Sequence, residues 1–369
     1  MSYLKQNADL TMAALLALRT TFLVPWDTDA LLGSINLSLL ALLFCLMAIV
    51  AGLRKAGLFT IGLHRFFHER TSIRQMGRFF IFSCFFTSMA ITNDVSLIIF
   101  VPLAIATYKE ARTLRQVIPV LTWQTMAANL GSMLTPIGNP QNLFIYSYYH
   151  LPLVSFLEIT GPVVLVSGLF LYFASFTLSN HAMALPSLPD VPLSKPTVSL
   201  LLLAFGLCLL HVLRILPISC LLALVLPLLF FLDRQLFREV DYKLLFLFLF
   251  LFILVGNITR IPGLREQAAA FLADHEFWIS LLLCQIISNV PTTVMLSPYT
   301  ENYTALLLGV NIGGLGTLIA SMASMISFKA YLSMRFHRAK AYILYFTAAN
   351  LLLLTILLVF YVLANRAYG

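Results

Sequence analysis

The sequence predicts an all-α integral membrane protein in which one arrangement of helices occurs twice, the second time inverted. Of its 369 residues, 60% are apolar and only 10% are charged, whereas soluble domains have roughly 45–50% and about 25%. Long apolar segments recur along the whole chain, and two pairs of polar motifs interrupt them in the same order. The composition alone excludes a soluble domain and a chain that binds nucleic acid.

Seven uninterrupted apolar segments approach the length of about 20 residues that a spanning helix needs. They are residues 10–25, 36–53, 159–178, 198–213, 217–232, 242–258 and 342–364. The first is short, so the sequence leaves open whether it crosses the membrane. Together with two interrupted helices, these segments predict about nine spanning helices.

Four more apolar segments are interrupted by polar residues, Gly or Pro. Two are interpreted as re-entrant hairpins: residues 79–108, turning at Thr92-Asn93-Asp94, and residues 277–298, turning at Ser288-Asn289-Val290-Pro291. Two are interpreted as broken helices: residues 117–148, broken at 135–140, and residues 305–328, broken near 313–321. Freed backbone groups are tolerated at membrane depth only inside protein or beside a wet cavity. We therefore expect function at these four breaks.

The positive charges predict the orientation of the chain. Lys and Arg concentrate in the cytoplasmic loops of membrane proteins. The segments above place eighteen of them inside and four outside, with the N-terminus cytoplasmic and the C-terminus outside. The net charge of +8 is then mainly a consequence of topology, and we expect a multi-pass protein of the plasma (inner) membrane.

An internal repeat divides the chain into residues 1–178, a linker and connecting helix at 179–216, and residues 217–369. The linker carries four prolines and is predicted to be extended and cytoplasmic. The motif from Asn129 to Asn139 and the motif from Asn311 to Ser321 place Asn, Gly, Thr and Ile in register. The four crossings of the first half and the one connecting helix add up to an odd number, so the second half begins on the opposite face of the membrane. The repeat is therefore inverted, as in many secondary transporters.

The candidate binding residues lie at the four breaks, where helix ends offer carbonyl oxygens to a cation and N–H groups to an anion. They are Thr92, Asn93, Asp94, Thr135, Asn139, Asn142, Ser288, Asn289, Thr317 and Ser321. Asn93, Asp94 and Asn289 are the candidate Na⁺ ligands. An acid at membrane depth is costly and usually functional, so Asp94 is a Na⁺ ligand or proton carrier; the alternative is a helix cap.

At these residues the chain resembles the ion transporter superfamily, which includes citrate-transporter-like proteins, divalent anion:sodium symporters, arsenite-pump membrane subunits and a class of sodium/proton antiporters. The resembling motifs are residues 88–95, 138–142, 288–291 and 311–321. In the sodium-coupled carboxylate branch that the chain resembles, each hairpin tip carries a Ser-Asn-Thr triplet. Here Asn93 and Asn289 match the asparagine of that triplet, but Asp94 and Val290 do not match its threonine. The Asn-Asp pair looks closer to the arsenite-pump and antiporter branches. The resemblance implies a homodimer with a scaffold and a mobile, elevator-like domain.

We therefore expect a secondary active transporter of a small anion, a carboxylate or an inorganic oxyanion, coupled to Na⁺ or H⁺. A sodium/proton antiporter, an arsenite efflux permease and a non-transporting lipid-binding or assembly protein are the alternatives. No enzyme activity and no cofactor are expected; the expected partners are the solute, membrane lipid and a second copy of the chain. Recognition is expected to depend on dipoles and neutral polar groups, with no basic residue near the site.

Overall fold

The computed structural model describes residues 8–58, 71–183, 194–335 and 337–368, and within these ranges the chain is almost entirely helical. The first half contains α1 (Ala8–Thr21), α2 (Thr28–Ser34), α3 (Leu37–Lys55), β1 (Thr71–Ser72), α4 (Ile73–Ile91), α5 (Asn93–Glu110), α6 (Val117–Ser132), α7 (Pro140–Tyr148) and α8 (Leu153–Ala174). After β2 (Ala182–Met183), α9 (Lys195–Val212) connects the halves. The second half contains α10 (Ile218–Leu232), α11 (Tyr242–Ile258), α12 (Leu264–Leu272), α13 (Glu276–Ile287), α14 (Asn289–Leu296), α15 (Tyr303–Ile312), α16 (Met322–Leu332) and α17 (Ala339–Tyr368).

The apolar helices are those of a multi-pass membrane protein. Within the described residues, four are long and apolar enough to cross a bilayer singly: Leu37–Lys55, Leu153–Thr177, Lys195–Val212 and Ala339–Arg366. α10, α11 and α15 are apolar but shorter, and α12 and α13 meet at an angle of 104°. The count of nine spans stays a prediction, as does a crossing by the 14-residue α1.

Both predicted hairpins are pairs of helices that fold back on each other. In each pair a single residue separates the two arms. The hydroxyl of Tyr108, near the end of α5, donates to the carbonyl of Ile73 at the start of α4 at 2.9 Å. Beyond the end of α14, the Thr300 hydroxyl donates to the Glu276 carboxylate at the start of α13 at 3.2 Å. The arms are thus antiparallel, whereas their re-entry into a bilayer is still a prediction.

Both predicted broken helices are interrupted by irregular backbone, at residues 133–139 between α6 and α7 and at residues 313–321 between α15 and α16. In each, a side chain caps the helix that follows, as the orphaned N–H groups of a helix start require. The Asn139 Oδ1 accepts from the Asn142 N–H at 2.9 Å. The Ser321 hydroxyl oxygen accepts from the Ala323 N–H at 3.3 Å.

Each half packs its first helix against the other half. α1 lies on α11, where the Asn257 amide donates to the Thr21 hydroxyl at 2.9 Å and the Lys243 ammonium lies 2.8 Å from the Asp9 carboxylate. Correspondingly, α10 packs on α3. A repeat with two-fold pseudo-symmetry is expected to show such reciprocal packing of the two first helices. The inverted relation of the halves and the domain boundaries stay predictions.

The linker differs from its prediction at one point. Ala182–Met183 is not a free extended segment but pairs antiparallel with Thr71–Ser72, because the chain returns to the start of the first hairpin. The neighbouring Arg74 donates to the Leu178 carbonyl at 3.0 Å and Arg78 to the Ser175 hydroxyl at 2.7 Å. These two arginines therefore hold the end of α8 besides contributing to the charge bias. Lys5, Arg65, Arg70, Pro186, Pro189 and Pro192, on which the orientation and linker predictions partly depend, lie outside the described residues.

The buried apolar side chains form two clusters. The hairpin cluster joins α4, α5, α6, α8, α16 and α17 and includes Phe80, Leu121 and Phe346. The frame cluster joins α1, α3, α7, α9, α10, α11 and α14 and includes Ile49 and Phe248. α13 and α15 contribute side chains to both clusters. The polar breaks described next lie where the two clusters meet.

Candidate functional site

The two hairpin tips have the same unusual backbone. Thr92 has φ 78° and ψ 150°, and Ser288 has φ 73° and ψ 161°. This region is almost restricted to glycine, and a residue with a side chain is strained there by about 1–3 kcal/mol. The strain is maintained at matched positions in both halves. Such residues cluster at ligand-binding and switching sites, which makes both tips candidate functional elements.

The asparagine after each strained residue is also placed identically. Asn93 and Asn289 are each 4% exposed and open the second arm of their hairpins. In both, the side-chain Oδ1 accepts from the next backbone N–H at 2.9 Å, that of Asp94 or of Val290. The amide nitrogen is thereby directed away from the helix and toward the broken helices.

The break between α6 and α7 is held by the two predicted asparagines. The Asn142 amide nitrogen donates to the carbonyls of Ser132, Met133 and Thr135 at 3.2–3.3 Å. Asn142 thus satisfies oxygens that the broken helix leaves free, and Asn139 caps α7. Both side chains are within 1% of full burial. Asn139 and Asn142 therefore stabilise the backbone of the break on which the site is built.

Asn311 of the second broken helix joins these two residues across the repeat. Its Oδ1 accepts from Asn139 at 3.3 Å, while its nitrogen donates to the Asn142 Oδ1 at 2.7 Å and to the Leu307 carbonyl at 2.8 Å. Every polar atom of this buried amide is engaged. The bonds connect breaks that are 169 and 172 residues apart in sequence.

Asn129, like Asn311, is absent from the site residues predicted from the sequence. Its Oδ1 accepts from the Asn93 amide at 3.1 Å and from the Ser321 hydroxyl at 3.0 Å. It therefore connects the first hairpin tip to the second broken helix. The signal was present, because Asn129 and Asn311 head the two motifs that recur in register.

The second hairpin tip lies directly on the second break. The Asn289 N–H donates to the Ala320 carbonyl at 3.1 Å, and the Ser288 hydroxyl lies 3.5 Å from the same oxygen. One turn before the tip, Gln285 donates to the carbonyls of Gly313 and Leu315 at 2.7 and 2.9 Å. Gln285 therefore satisfies carbonyl oxygens freed by the second break, as Asn142 does at the first break. No sequence motif indicated this role of Gln285.

Two predicted site residues lie apart from the network. Thr317 is exposed, and its N–H donates to the Gln285 side chain at 3.0 Å. The Thr135 hydroxyl donates to the Met89 carbonyl in the first hairpin. Both make structural bonds, while the remaining predicted residues lie at the tips or between the breaks.

Asp94 lines a cavity of about 110 Å³ between the two clusters. Its Oδ1 is buried and has no hydrogen-bond partner among the described residues. Thr92 and Asn139 line the same cavity, as do Glu239, Asp241 and Arg54. Arg54 corrects the expectation that no basic residue is near, because α3 brings its last turn to the cavity; its guanidinium pairs with Glu239 at 2.7 Å.

Comparisons with known proteins agree with this architecture. A family model described as a citrate transporter matches residues 4–305. An uncharacterized transporter of Methanocaldococcus jannaschii is 33% identical over 257 residues, which are 68% of this chain and 69% of that protein. The inner membrane protein YbiR of Escherichia coli is 28% identical over 324 residues, 85% of each chain. A silicon efflux transporter of Oryza sativa subsp. japonica is 34% identical over 143 residues, 38% of this chain and 28% of its own.

Proposed function

The chain belongs to the citrate transporter family, and we propose on this premise that it moves a small anion, a carboxylate or an inorganic oxyanion, in exchange for or together with Na⁺ or H⁺. Family membership indicates a multi-pass secondary transporter. The observation that carries the proposal is the polar network that joins both strained hairpin tips to the two broken helices. Asn129 and Asn311 connect the two halves of this network, and its predicted site residues are Asn93, Asn139, Asn142, Asn289 and Ser321, with Asp94 beside it.

The charge of the cavity supports coupling to a cation. Asp94, Glu239 and Asp241 line it, and Arg54 is the one cationic side chain among its lining residues. When ionised, these groups sum to an excess of negative charge, which attracts cations and raises their local concentration. The unpartnered Oδ1 of Asp94 is suited to take the Na⁺ or the proton. Asn93 and Asn289 supply the neutral ligands.

This electrostatic arrangement suggests how the cation and the anion are coupled. An anion beside an ionised Asp94 would be repelled, because like charges in a poorly solvated site interact strongly. A cation or proton at Asp94 removes that repulsion, and the amides and helix N-termini then bind the anion. Cation binding therefore precedes anion binding, and the gradient of one drives the other.

The two apolar clusters support an elevator-like mechanism. The first hairpin belongs to the hairpin cluster, and the cavity separates it from the frame cluster on α3 and α11. We propose that the two hairpins and the two broken helices, which the polar network joins, move as one unit against the remaining frame helices, α1, α3, α9, α10 and α11, and carry the site across the membrane. In this proposal the frame forms the contact between two copies of the chain, surrounded by lipid in the inner membrane.

Flux in proteoliposomes tests the proposal. Citrate and phosphate uptake are measured under imposed Na⁺ and pH gradients, with protein-free liposomes as the control. We expect uptake of at least one anion that rises with one gradient and stops when an ionophore collapses it. Absence of gradient-dependent flux for these and for other di- and tricarboxylates would reject an anion transporter.

A second candidate, efflux of a small oxyacid such as arsenite or silicic acid, is favoured by two observations. One relative is named as a silicon efflux transporter, and the acidic cavity suits a solute that carries no charge. The same liposomes loaded with arsenite or orthosilicic acid distinguish it. Proton flux that needs Na⁺ but no solute would instead identify a sodium/proton antiporter.

A further inference from the structure

Asn129 holds an amide nitrogen that nothing in the described residues engages. The side chain is 6% exposed, and its Nδ2 is buried without a hydrogen-bond partner, whereas its Oδ1 accepts two hydrogen bonds. A buried donor left unpaired is costly, and the cost is greater at membrane depth, where water is scarce. An unpaired donor at the junction of tip and break therefore marks a place for an acceptor.

The orientation of this amide is determined by its neighbours and cannot be reversed freely. The Asp94 N–H donates to the Asn93 Oδ1 at 2.9 Å, which leaves the Asn93 nitrogen to face Asn129. A donor facing Asn129 requires its oxygen on that side. The Asn129 nitrogen must then point away from both Asn93 and Ser321.

The matched residue in the other half behaves differently. Asn311 occupies the corresponding position in the second motif, yet its nitrogen makes two hydrogen bonds and its oxygen one. The unpaired donor is thus not a general property of this position in the repeat. A second buried group without a partner among the described residues is the Ser324 hydroxyl. Ser324 lies one helical turn beyond Ser321, the residue that donates to Asn129.

We propose that Asn129 is a solute-binding residue, which donates its Nδ2–H to an acceptor oxygen of the transported solute. Ser324 offers a hydroxyl to the same solute. The inference rests on the proposed transport function and deepens it by naming a contact. Since Asn129 also bonds Asn93 and Ser321, solute binding there reaches the first hairpin and the second broken helix through one side chain.

The test uses Asn129→Asp, which keeps the accepting oxygen and removes the donor, and Asn129→Ala, which introduces no charge. Both are reconstituted as full-length protein, and the apparent KM is measured for citrate, arsenite and orthosilicic acid. Asn311→Asp is the matched control, because it removes donors that make structural bonds. Thermal unfolding is recorded for every variant.

We expect Asn129→Asp, which keeps the oxygen that accepts from Asn93 and Ser321, to unfold near the wild-type temperature while the KM for the transported probe rises about tenfold or more. Asn129→Ala also loses these two hydrogen bonds, so it should raise the KM and lower the unfolding temperature, as Asn311→Asp should. Wild-type KM in either Asn129 variant would overturn the inference, as would a loss of stability in Asn129→Asp equal to that of Asn311→Asp. If wild-type protein moves neither these three probes nor phosphate and the other di- and tricarboxylates, the proposed function fails and the inference with it. That result is distinct from an active protein whose variants keep the wild-type KM.

Discussion

At the scale of single residues, the two hairpin tips share a strained backbone conformation. Thr92 and Ser288 both adopt φ above 70°, and each is followed by an asparagine whose side chain closes on the next N–H. The strain is offset because the tips are held by bonds from neighbouring helices. The sequence revealed the recurring asparagine but not the backbone conformation before it.

Replacing either asparagine by alanine should abolish transport. Asn93→Ala and Asn289→Ala each remove a side chain that caps its own tip and faces the site. We expect uptake in proteoliposomes to fall at least about tenfold, the effect of losing one or more hydrogen bonds of about 1–3 kcal/mol. Asn302→Ala is the control, since Asn302 caps α15 in the same way but away from the site. It should cost about 1 kcal/mol of stability and no transport, and retained transport by both tip variants would contradict the site assignment.

Asp94→Asn should separate transport from its driving gradient. The amide preserves the shape of the side chain but removes the charge that binds Na⁺ or carries H⁺. We expect solute exchange without dependence on either gradient, measured as counterflow in proteoliposomes. Asp29→Asn, an exposed acid in α2, should behave as wild type. A variant of Asp94 that keeps its full gradient dependence would show that this carboxyl is only a helix cap.

At the scale of elements, close backbone approach holds the hairpins against the broken helices. A Cβ at Gly131 in α6 would collide with the Phe85 carbonyl of α4, and one at Gly309 in α15 with the Ser280 hydroxyl of α13. Both glycines lie between a broken helix and the first arm of a hairpin, although Gly313, and not Gly309, matches Gly131 in the repeated motif. Gly309 and Gly313 form a GxxxG motif, which is typical of closely packed membrane helices, and a Cβ at either glycine would collide with α13.

Gly131→Ala should therefore destabilise the protein, since the obstructing atom is backbone and cannot turn aside. We expect a loss of about 1–3 kcal/mol, typical of an overpacked core, seen as a lower unfolding temperature in detergent. Gly161→Ala in α8 is the control, because no atom lies within 4 Å of the added methyl group. Equal unfolding temperatures for the two variants would indicate that α4 and α6 can separate without cost.

At the scale of the whole molecule, the cavity beside Asp94 opens between the clusters toward Arg54 and Glu239. These residues lie in the part of the chain that the charge distribution assigns to the cytoplasm. In the proposed mechanism, this cavity connects the first hairpin tip to the cytoplasmic side. Thiol labelling can test from which side of the membrane this cavity is accessible.

In a cysteine-free background, Met47→Cys should be labelled by a membrane-impermeant maleimide only from the cytoplasmic face, because Met47 lines the cavity. Ile215→Cys, which follows α9 and is 67% exposed, should react only from outside. Inside-out and right-side-out vesicles of a bacterial host provide the two faces. Labelling of both positions from one face would refute the proposed orientation.

Much of the fold followed from the sequence, and the comparisons confirm the family resemblance it carried. The tips at Thr92 and Ser288 and the two breaks were placed within a few residues and the long apolar helices within about six, whereas α2 and α12 were not predicted. These features are local, because a run of apolar residues or a Gly and Pro interruption acts on its own segment. The pairing of β1 with β2 was missed, since neither two-residue strand has a pattern of its own.

The amino-acid sequence alone determined the membrane class, the order of hairpins and broken helices and the asparagines at their tips, because hydrophobic length and helix breakers are properties of neighbouring residues. Only the tertiary structure decided which side-chain amides form hydrogen bonds with one another. The partners of Asn129 are 36 and 192 residues away, and Arg54 reaches the cavity of Asp94 only through the packing of α3. Hydrogen bonds over such separations depend on how helices cross, and crossing is a result of the whole core.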